Sequence, residues 1–114
     1  MTDKFDLLLD EEDAFLPHIT EKLTEIFGRF DEDKDGVLND GELSEYFRAT
    51  NGQPMGKDVK KEIQEAFDVD KDGNLTAKGF IEMYQLQTLA DPDETIKDLK
   101  AHGYDVEDET KSWM

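Results

Sequence analysis

Acidic residues alternate along a short stretch in the first half of the chain, in a pattern that suits a metal ion. Asp31, Asp33 and Asp35 each carry a carboxylate, and Gly36 follows them directly. Because alternate residues of a tight loop point inward, the three carboxylates are predicted to converge, and the glycine permits the sharp turn that this needs. A hard cation such as calcium takes about six to eight oxygen ligands, so the stretch is predicted to bind one.

Three further groups complete the predicted ligand set. The backbone carbonyl of Val37 supplies one oxygen, and Asn39 contributes directly or through a water molecule. Glu42 is predicted to lie in the helix after the loop, where its carboxylate supplies two oxygens and ties occupancy of the site to the position of that helix. Residues 31–42 match the twelve-residue pattern Asp-x-Asp/Asn-x-Asp/Asn-Gly-x5-Glu at every specified position.

Apolar residues recur at helical spacing on both sides of this loop, as a pair of flanking helices requires. They are Leu23, Ile26, Phe27 and Phe30 before it, and Leu43, Tyr46 and Phe47 after it. On the loop and these stripes, the chain resembles the EF-hand superfamily, which includes calmodulin and troponin C. The resemblance covers residues 18–89 and implies an all-α fold of two paired hands, each a helix–loop–helix unit. It also implies a short antiparallel bridge between the two loops, at Leu38 and Leu75.

The pattern repeats 37 residues later, between Asp68 and Gly79, but the repeat is incomplete. The weak or degenerate ligands predicted there are Asp68, Asp70, Asp72, Asn74 and Thr76. Gly79 stands at the twelfth position and has no side chain, so the bidentate carboxylate is missing. The loop is therefore predicted to bind an ion weakly or not at all, and to act as a scaffold for the first loop. Two alternatives stay open, namely magnesium with water ligands and a carboxylate supplied by Glu82, three residues further on.

Local signals predict where the helices of the first hand begin and where the hands are linked. Pro17 suits the first turn of a helix at about 18–30, because its missing N–H costs nothing there. Asn39 and Glu42 form a capping-box pattern at the start of the next helix. Residues 50–54 have turn chemistry and are predicted to link the two hands.

An additional helix is predicted after the hand pair. Asp91 suits an N-cap, Pro92 suits the first helical position, and Glu94 completes a capping box. Gly103 can end this helix in a left-handed conformation, which leaves residues 105–114 as a loose tail. Three parts are therefore predicted: an acidic arm or short helix at 1–17, the hand pair at 18–89 (hand one at 18–50, hand two at 56–89), and a C-terminal helix with an acidic tail at 90–114.

Apolar residues of the hands are predicted to line a groove for a partner as well as a core. The groove residues are Phe27, Phe30, Phe47, Phe67, Phe80 and Met83. A sensor hand opens on binding calcium and exposes such a face to an amphipathic helix, whereas a buffer barely opens. We also hypothesise that a segment of the same chain covers the groove as a lid. The candidates are the C-terminal helix, with Ile96 and Leu99, and the apolar patch at residues 7–9 and 15–16.

The charge of the chain limits the classes of partner. Lys and Arg number 13 against 30 Asp and Glu, which gives a formal net charge of −17. Phosphate binding needs a basic face, so nucleic acid is not expected as a partner, whereas cations and basic peptides are. No apolar run approaches the roughly 20 residues that span a bilayer, and no secretory signal is recognised, so a cytoplasmic protein without a membrane span is expected.

No enzymatic activity is predicted. The two histidines, His18 and His102, are expected at the ends of elements, and cysteine is absent. The sequence contains no recognisable nucleophile–base arrangement and no glycine-rich loop that cradles phosphate.

Three functions are compatible with these patterns. The leading hypothesis is a calcium sensor that binds the ion in loop 31–42 and signals, through helix rearrangement, to a partner protein or a basic amphipathic peptide. The alternatives are a cytosolic calcium buffer and a structural adaptor that binds its partner without calcium. All three stay open on the sequence alone.

Overall fold

The chain folds as two helix–loop–helix units with helical additions at both ends. A computed structural model describes residues 4–53 and 56–106. In these residues the elements are α1 (Lys4–Leu8), α2 (Pro17–Phe30), β1 (Val37–Leu38), α3 (Asp40–Asn51), α4 (Lys57–Ala66), β2 (Leu75–Thr76), α5 (Ala77–Ala90) and α6 (Pro92–Ala101). The predicted all-α class, with a bridge between the loops and an extra C-terminal helix, is confirmed. Within the described ranges, no helix has the length and apolar character needed to cross a membrane.

Local sequence signals set the start of both helices of the first hand. Pro17 is the first residue of α2, as predicted. At the start of α3, the Asn39 side chain accepts a hydrogen bond from Glu42 N at 2.9 Å, and the Glu42 side chain accepts one from Asn39 N at 3.0 Å. The predicted capping box is therefore formed, and it fixes the Glu42 side chain at the loop.

The link between the two hands begins later than predicted. α3 extends to Asn51, and Gly52 ends it with a φ of +79°, in the left-handed region that favours glycine. The linker predicted at 50–54 is wrong at its first two positions, because these residues form the last helical turn. Residue 54, at the other end of that prediction, lies outside the described residues.

A short antiparallel ladder joins the two loops. Val37 pairs with Thr76, and Leu38 pairs with Leu75, as the resemblance implied for the two leucines. Leu38 and Leu75 are each 1% exposed, so the ladder is anchored in the core. Because backbone hydrogen bonds fix its register, the position of one loop constrains the position of the other.

Aromatic side chains from α2, α3 and α5 meet at the centre of the fold. Phe80 packs edge-to-face against Phe27, Tyr46 and Tyr84, with ring centroids 5.6, 5.2 and 5.2 Å apart. Of the predicted groove residues, Phe27 and Phe80 are buried in this cluster. The other four, Phe30, Phe47, Phe67 and Met83, are half-buried and pack against it. In this conformation the predicted groove is thus largely part of the core.

Both terminal additions pack against the hand pair. α6 lies against α5, and α1 contacts both of them. Ile96 and Leu99 of α6 are buried, and Leu8 and Leu9 are buried at the N-terminal end. Leu16 N donates a hydrogen bond to Leu8 O at 2.9 Å, which brings α1 back against the start of α2. Both segments considered as a lid therefore contact the hands.

The start of α6 differs from the prediction in one detail. The Asp91 side chain accepts a hydrogen bond from Asp93 N at 3.1 Å, so it satisfies the backbone N–H of the second helical residue. The predicted capping box with Glu94 is wrong, because the side chain bonds one residue earlier than the box requires.

The end of α6 follows the prediction. Gly103 has a φ of +96°, and its N–H donates to Lys100 O at 3.0 Å while Tyr104 N donates to Leu99 O at 2.9 Å. This pair of hydrogen bonds is a Schellman motif, which turns the chain sharply after the helix. The turn brings Val106 into the core, where it is 2% exposed. The prediction of a loose tail is wrong at that residue, and residues 107–114 lie outside the described part of the chain.

Candidate metal centre

Four carboxylates converge at the first loop, three from the loop itself and one from the first turn of α3. Asp31, Asp33, Asp35 and Glu42 each place one oxygen within 4.8 Å of the others. Asp31 and Glu42 are each 7% exposed, whereas the other two are exposed. Among the described residues, this is the single group of three or more metal-ligating side chains so arranged. The structure thus brings together the four carboxylates that the sequence predicted as ligands.

Backbone N–H groups hold these carboxylates in place. Asp31 accepts hydrogen bonds from Asp35 N at 3.3 Å and from Gly36 N at 3.0 Å. Glu42 accepts one from Glu32 N at 2.7 Å, in addition to its capping-box contact. Gly36 has a φ of +86°, so the sharp turn of the loop depends on the conformational freedom of glycine at that position. The loop is therefore ordered around its own carboxylates.

The electrostatics of the cluster favour a cation. Loss of hydration and the neighbouring Asp35 raise the pKa of Asp33, because like charges oppose ionisation. The hydrogen bond from Val37 N lowers the pKa of Asp35 below its ordinary value. The donor atoms are all oxygen, which suits a hard ion such as calcium or magnesium and not a soft metal. The residues present therefore fit the ion that the pattern predicts.

The second loop closes on itself. The Thr76 hydroxyl lies 2.5 Å from Asp68 Oδ2, and Thr76 N donates to Asp68 O at 3.2 Å. Asp70 accepts hydrogen bonds from Asp72 N and Asn74 N, both at 2.9 Å. Asp70 N in turn donates to the backbone carbonyl oxygen of Asn74 at 2.9 Å. Each of the five predicted weak ligands thus takes part in a hydrogen bond within the loop.

Gly79 is enclosed by the beginning of its own loop. A Cβ placed there would overlap the carbonyl oxygen of Asp68 and lie 2.7 Å from Leu75 Cδ1. The loop backbone thus takes the space that a twelfth-position side chain occupies in the first hand. Glu82, which the sequence left open as a replacement ligand, accepts a hydrogen bond from Asp68 N at 3.0 Å. Its carboxylate therefore ties the start of the loop to α5.

A buried polar network connects α3, α5 and α6, and sequence reasoning missed it. The hydroxyls of Tyr46 and Tyr84 are hydrogen-bonded, and Tyr84 also donates to Asp98 Oδ2 at 3.2 Å. Gln87 Nε2 donates to the same carboxylate oxygen at 3.1 Å. Asp98 is 6% exposed, and its burial raises its pKa. The available signal was a polar residue between the two apolar positions Ile96 and Leu99, which alone does not reveal burial.

Replacing Asp98 by Asn is expected to stabilise the metal-free chain at neutral pH. A folded pKa raised above the ordinary value of 3.8 means that the fold favours the protonated acid. The stability that the protonated acid contributes is complete below pH 3.8 and is lost as the pH rises through the folded pKa. At pH 7 the neutral amide should raise the free energy of unfolding by about 1 kcal/mol, while its oxygen still accepts from Gln87.

Urea unfolding in EDTA at pH 7 and at pH 4 would measure this effect. The gain should be smaller at pH 4 than at pH 7, because the raised pKa makes a larger fraction of the native acid neutral at the lower pH. Asp93→Asn, at an exposed position of the same helix, removes an equal charge and is expected to cause a slight loss through the helix dipole. A lower stability of Asp98→Asn at pH 7 would contradict the assignment.

The chain is similar to known proteins over most of its length. A family model described as the EF-hand domain pair matches residues 20–85. Mitochondrial Rho GTPase 2 of Arabidopsis thaliana is 35% identical over 82 residues, which is 72% of this chain and 12% of that protein. Mitochondrial Rho GTPase 1 of Schizosaccharomyces pombe is 33% identical over 85 residues, 75% of this chain and 13% of that protein. For Mitochondrial Rho GTPase 1 of Candida albicans the identity is 31% over 88 residues, 77% of this chain and 12% of that protein. The chain thus spans about one eighth of the length of these relatives.

Proposed function

Because the chain belongs to the EF-hand family, whose domains bind metal ions and usually calcium, we propose that it is a calcium-dependent regulatory protein with one working site. The observation that carries this proposal is the convergence of four carboxylates within 4.8 Å, three from the loop and one from α3. The proposed ligands are Asp31, Asp33, Asp35 and Glu42 through carboxylate oxygens, Val37 through its carbonyl, and Asn39 directly or through water. The bound ion supplies the positive charge that offsets the repulsion among these carboxylates.

The second loop acts in this proposal as a scaffold without an ion. Its support is that Thr76, Asp68 and Glu82 close the loop with hydrogen bonds. In addition, the Asp68 carbonyl leaves no room for a ligand side chain at position 79. The ladder between Leu38 and Leu75 then holds the working loop against a fixed partner.

The signal passes from the ion to the helices through Glu42. This residue belongs to α3, and one turn later Tyr46 joins the polar network that reaches Tyr84 on α5 and Asp98 on α6. A change in the position of α3 therefore acts on both α5 and α6. The formal charge of −17 favours a basic partner, such as a protein with a basic amphipathic helix.

The proposed role does not include nucleotide hydrolysis. The relatives bear the name Rho GTPase, but this chain matches about one eighth of their length. Its sequence has no glycine-rich loop of the kind that cradles nucleotide phosphates. We therefore assign to the chain ion binding and regulation, and no catalysis.

Retention of the chain on an immobilised basic amphipathic peptide would test the regulatory role. We expect retention with micromolar calcium and millimolar magnesium, and release in EDTA. Polylysine of equal charge serves as the control for non-specific attraction to an acidic chain. Calcium binding without calcium-dependent retention would indicate a buffer, and equal retention with and without calcium would indicate an adaptor.

A further inference from the structure

His102, the residue directly after α6, lies between the two helices of the first hand. The ring of His102 stacks on Tyr46 of α3, with centroids 5.9 Å apart and ring planes within 8° of parallel. The same ring packs edge-to-face against Phe30 of α2, at a centroid distance of 5.7 Å. One side chain from outside the hand thus contacts both its entering and its exiting helix.

Hydrogen bonds join the same residue to both helices. His102 Nε2 and Thr50 Oγ1 of α3 form a hydrogen bond of 2.7 Å. The carbonyl oxygen of His102 accepts a hydrogen bond of 2.8 Å from Arg29 of α2. Arg29 also donates to Tyr104 OH at 3.2 Å, and the guanidinium and Lys22 Nζ lie 5.4 and 5.5 Å from the Tyr104 ring centroid. These contacts fasten the segment after α6 to the hand by directional bonds as well as by packing.

The segment itself is held in a defined conformation. The Schellman motif at Gly103 sets the direction in which the chain leaves α6. Val106, which follows, is buried in the core. His102 therefore bridges the two helices from a fixed support, since both the helix before it and the segment after it are packed.

The two bridged helices are those that carry the ends of the candidate metal site. Asp31 directly follows Phe30 at the end of α2, and Glu42 lies four residues before Tyr46 in α3. The separation of these helices consequently sets the distance between the first and the last ligand. In the same arrangement in which His102 bridges them, the four carboxylates lie within 4.8 Å of one another.

We propose that His102 is a positioning residue for the metal site: by bridging Phe30 on α2 and Tyr46 and Thr50 on α3, it holds the two helices at the separation that assembles the ligands. Docking of residues 102–106 then raises the affinity of the first loop for its ion. By thermodynamic linkage, the bound ion tightens the docking of this segment by the same factor. This inference rests on the proposed binding of an ion in the first loop.

Calorimetric titration of calcium into the full chain would test this coupling. His102→Ala removes the ring and its hydrogen bond, and we expect about a three- to tenfold weaker affinity with one ion still bound. His102→Phe keeps a ring against Tyr46 and Phe30 but loses the bond to Thr50, so an intermediate loss is expected. Ala101→Ser, at the exposed neighbouring position, is the control and should bind like the unsubstituted chain.

A second measurement reports the reverse direction of the linkage, with amides in the centre of α5 as the reference, because general stabilisation of the fold by the bound ion would slow their exchange as well. Amide hydrogen exchange at Gly103 and Tyr104 should slow by about the same three- to tenfold when calcium saturates the unsubstituted chain. If His102→Ala fails to fold, this measurement on the unsubstituted chain still tests the coupling between ion binding and docking of residues 102–106. Exchange that does not change with calcium would overturn the inference.

The two possible failures are distinguishable. Normal calcium binding by the unsubstituted chain, with equal affinity in His102→Ala, would overturn the positioning role and leave the proposed function in place. Absence of calcium binding by the unsubstituted chain would overturn the proposed function, and this inference with it.

Discussion

Replacement of Glu42 by Gln is expected to weaken calcium binding by at least about 100-fold. Loss of a group that only supports a ligand costs about 10- to 100-fold in metal affinity, and Glu42 is itself a proposed ligand that supplies two oxygens. The amide keeps the size of the side chain and one acceptor oxygen for Asn39 N, so the capping box and α3 should remain, while the hydrogen bond from Glu32 N is lost. The measurement is isothermal calorimetry with millimolar magnesium, in which one ion per chain is expected for the unsubstituted protein.

The matched control is Glu45→Gln. Glu45 lies one turn further along α3 and lines the same cleft as Glu42, but it does not belong to the carboxylate cluster. The Glu45→Gln substitution removes the same charge as Glu42→Gln, so any general loss of electrostatic attraction should appear in both variants. A Glu42→Gln chain that binds calcium as tightly as Glu45→Gln would show that the ion lies elsewhere.

Metal-free stability should change much less than calcium affinity. In EDTA, Glu42→Gln relieves repulsion among four carboxylates, and it also removes the acceptor of the Glu32 N hydrogen bond. The variant should therefore unfold at about the same urea concentration as the unsubstituted chain, because these two effects oppose each other. Loss of binding together with retained stability is the combination that identifies a ligand.

Replacement of Gly79 by Glu is expected to destabilise the chain by about 3 kcal/mol without creating a second site. The substitution restores the twelve-residue pattern of the second loop, and helix propensity alone would favour it by roughly 1 kcal/mol. The structure reverses that expectation, because the new Cβ would overlap the Asp68 carbonyl and press on Leu75. Urea unfolding in EDTA measures the loss, and calorimetry should still count one calcium ion per chain.

Ala77→Glu controls for the added charge and side chain. Ala77 is exposed in the first turn of α5, where a glutamate interacts favourably with the helix dipole. Its stability should match or slightly exceed that of the unsubstituted chain. Full stability of Gly79→Glu with two bound ions would mean that the second loop opens readily and that its closed form is not a requirement of the fold.

Features that depend on neighbouring residues were predicted correctly from the sequence. Pro17 at the start of α2, the capping box of Asn39 with Glu42, and the left-handed Gly103 each follow from local backbone chemistry. The pairing of Leu38 with Leu75 followed from the family resemblance, because it joins residues far apart in the sequence. The convergence of the carboxylates in the first loop is also local, since one short loop holds them.

Features that depend on the packing of distant elements were not predicted. The sequence showed that Gly79 lacks a carboxylate, but not that the Asp68 carbonyl would take the vacant space. Nor did a two-residue apolar stripe fix the rotation of α6 that buries Asp98 beneath Tyr84. His102 was expected at the end of an element, and it is, but its contacts with α2 and α3 depend on where that helix docks.

The closed second loop bears on how the chain would respond to a calcium signal. Two coupled sites give a steep response, whereas a single site gives a Hill coefficient of one. With Thr76 and Glu82 satisfying the second loop, occupancy of the first would rise from one tenth to nine tenths over about an 80-fold range of calcium concentration. Such a chain would report the level of calcium in a graded manner, and would not act as an on–off trigger.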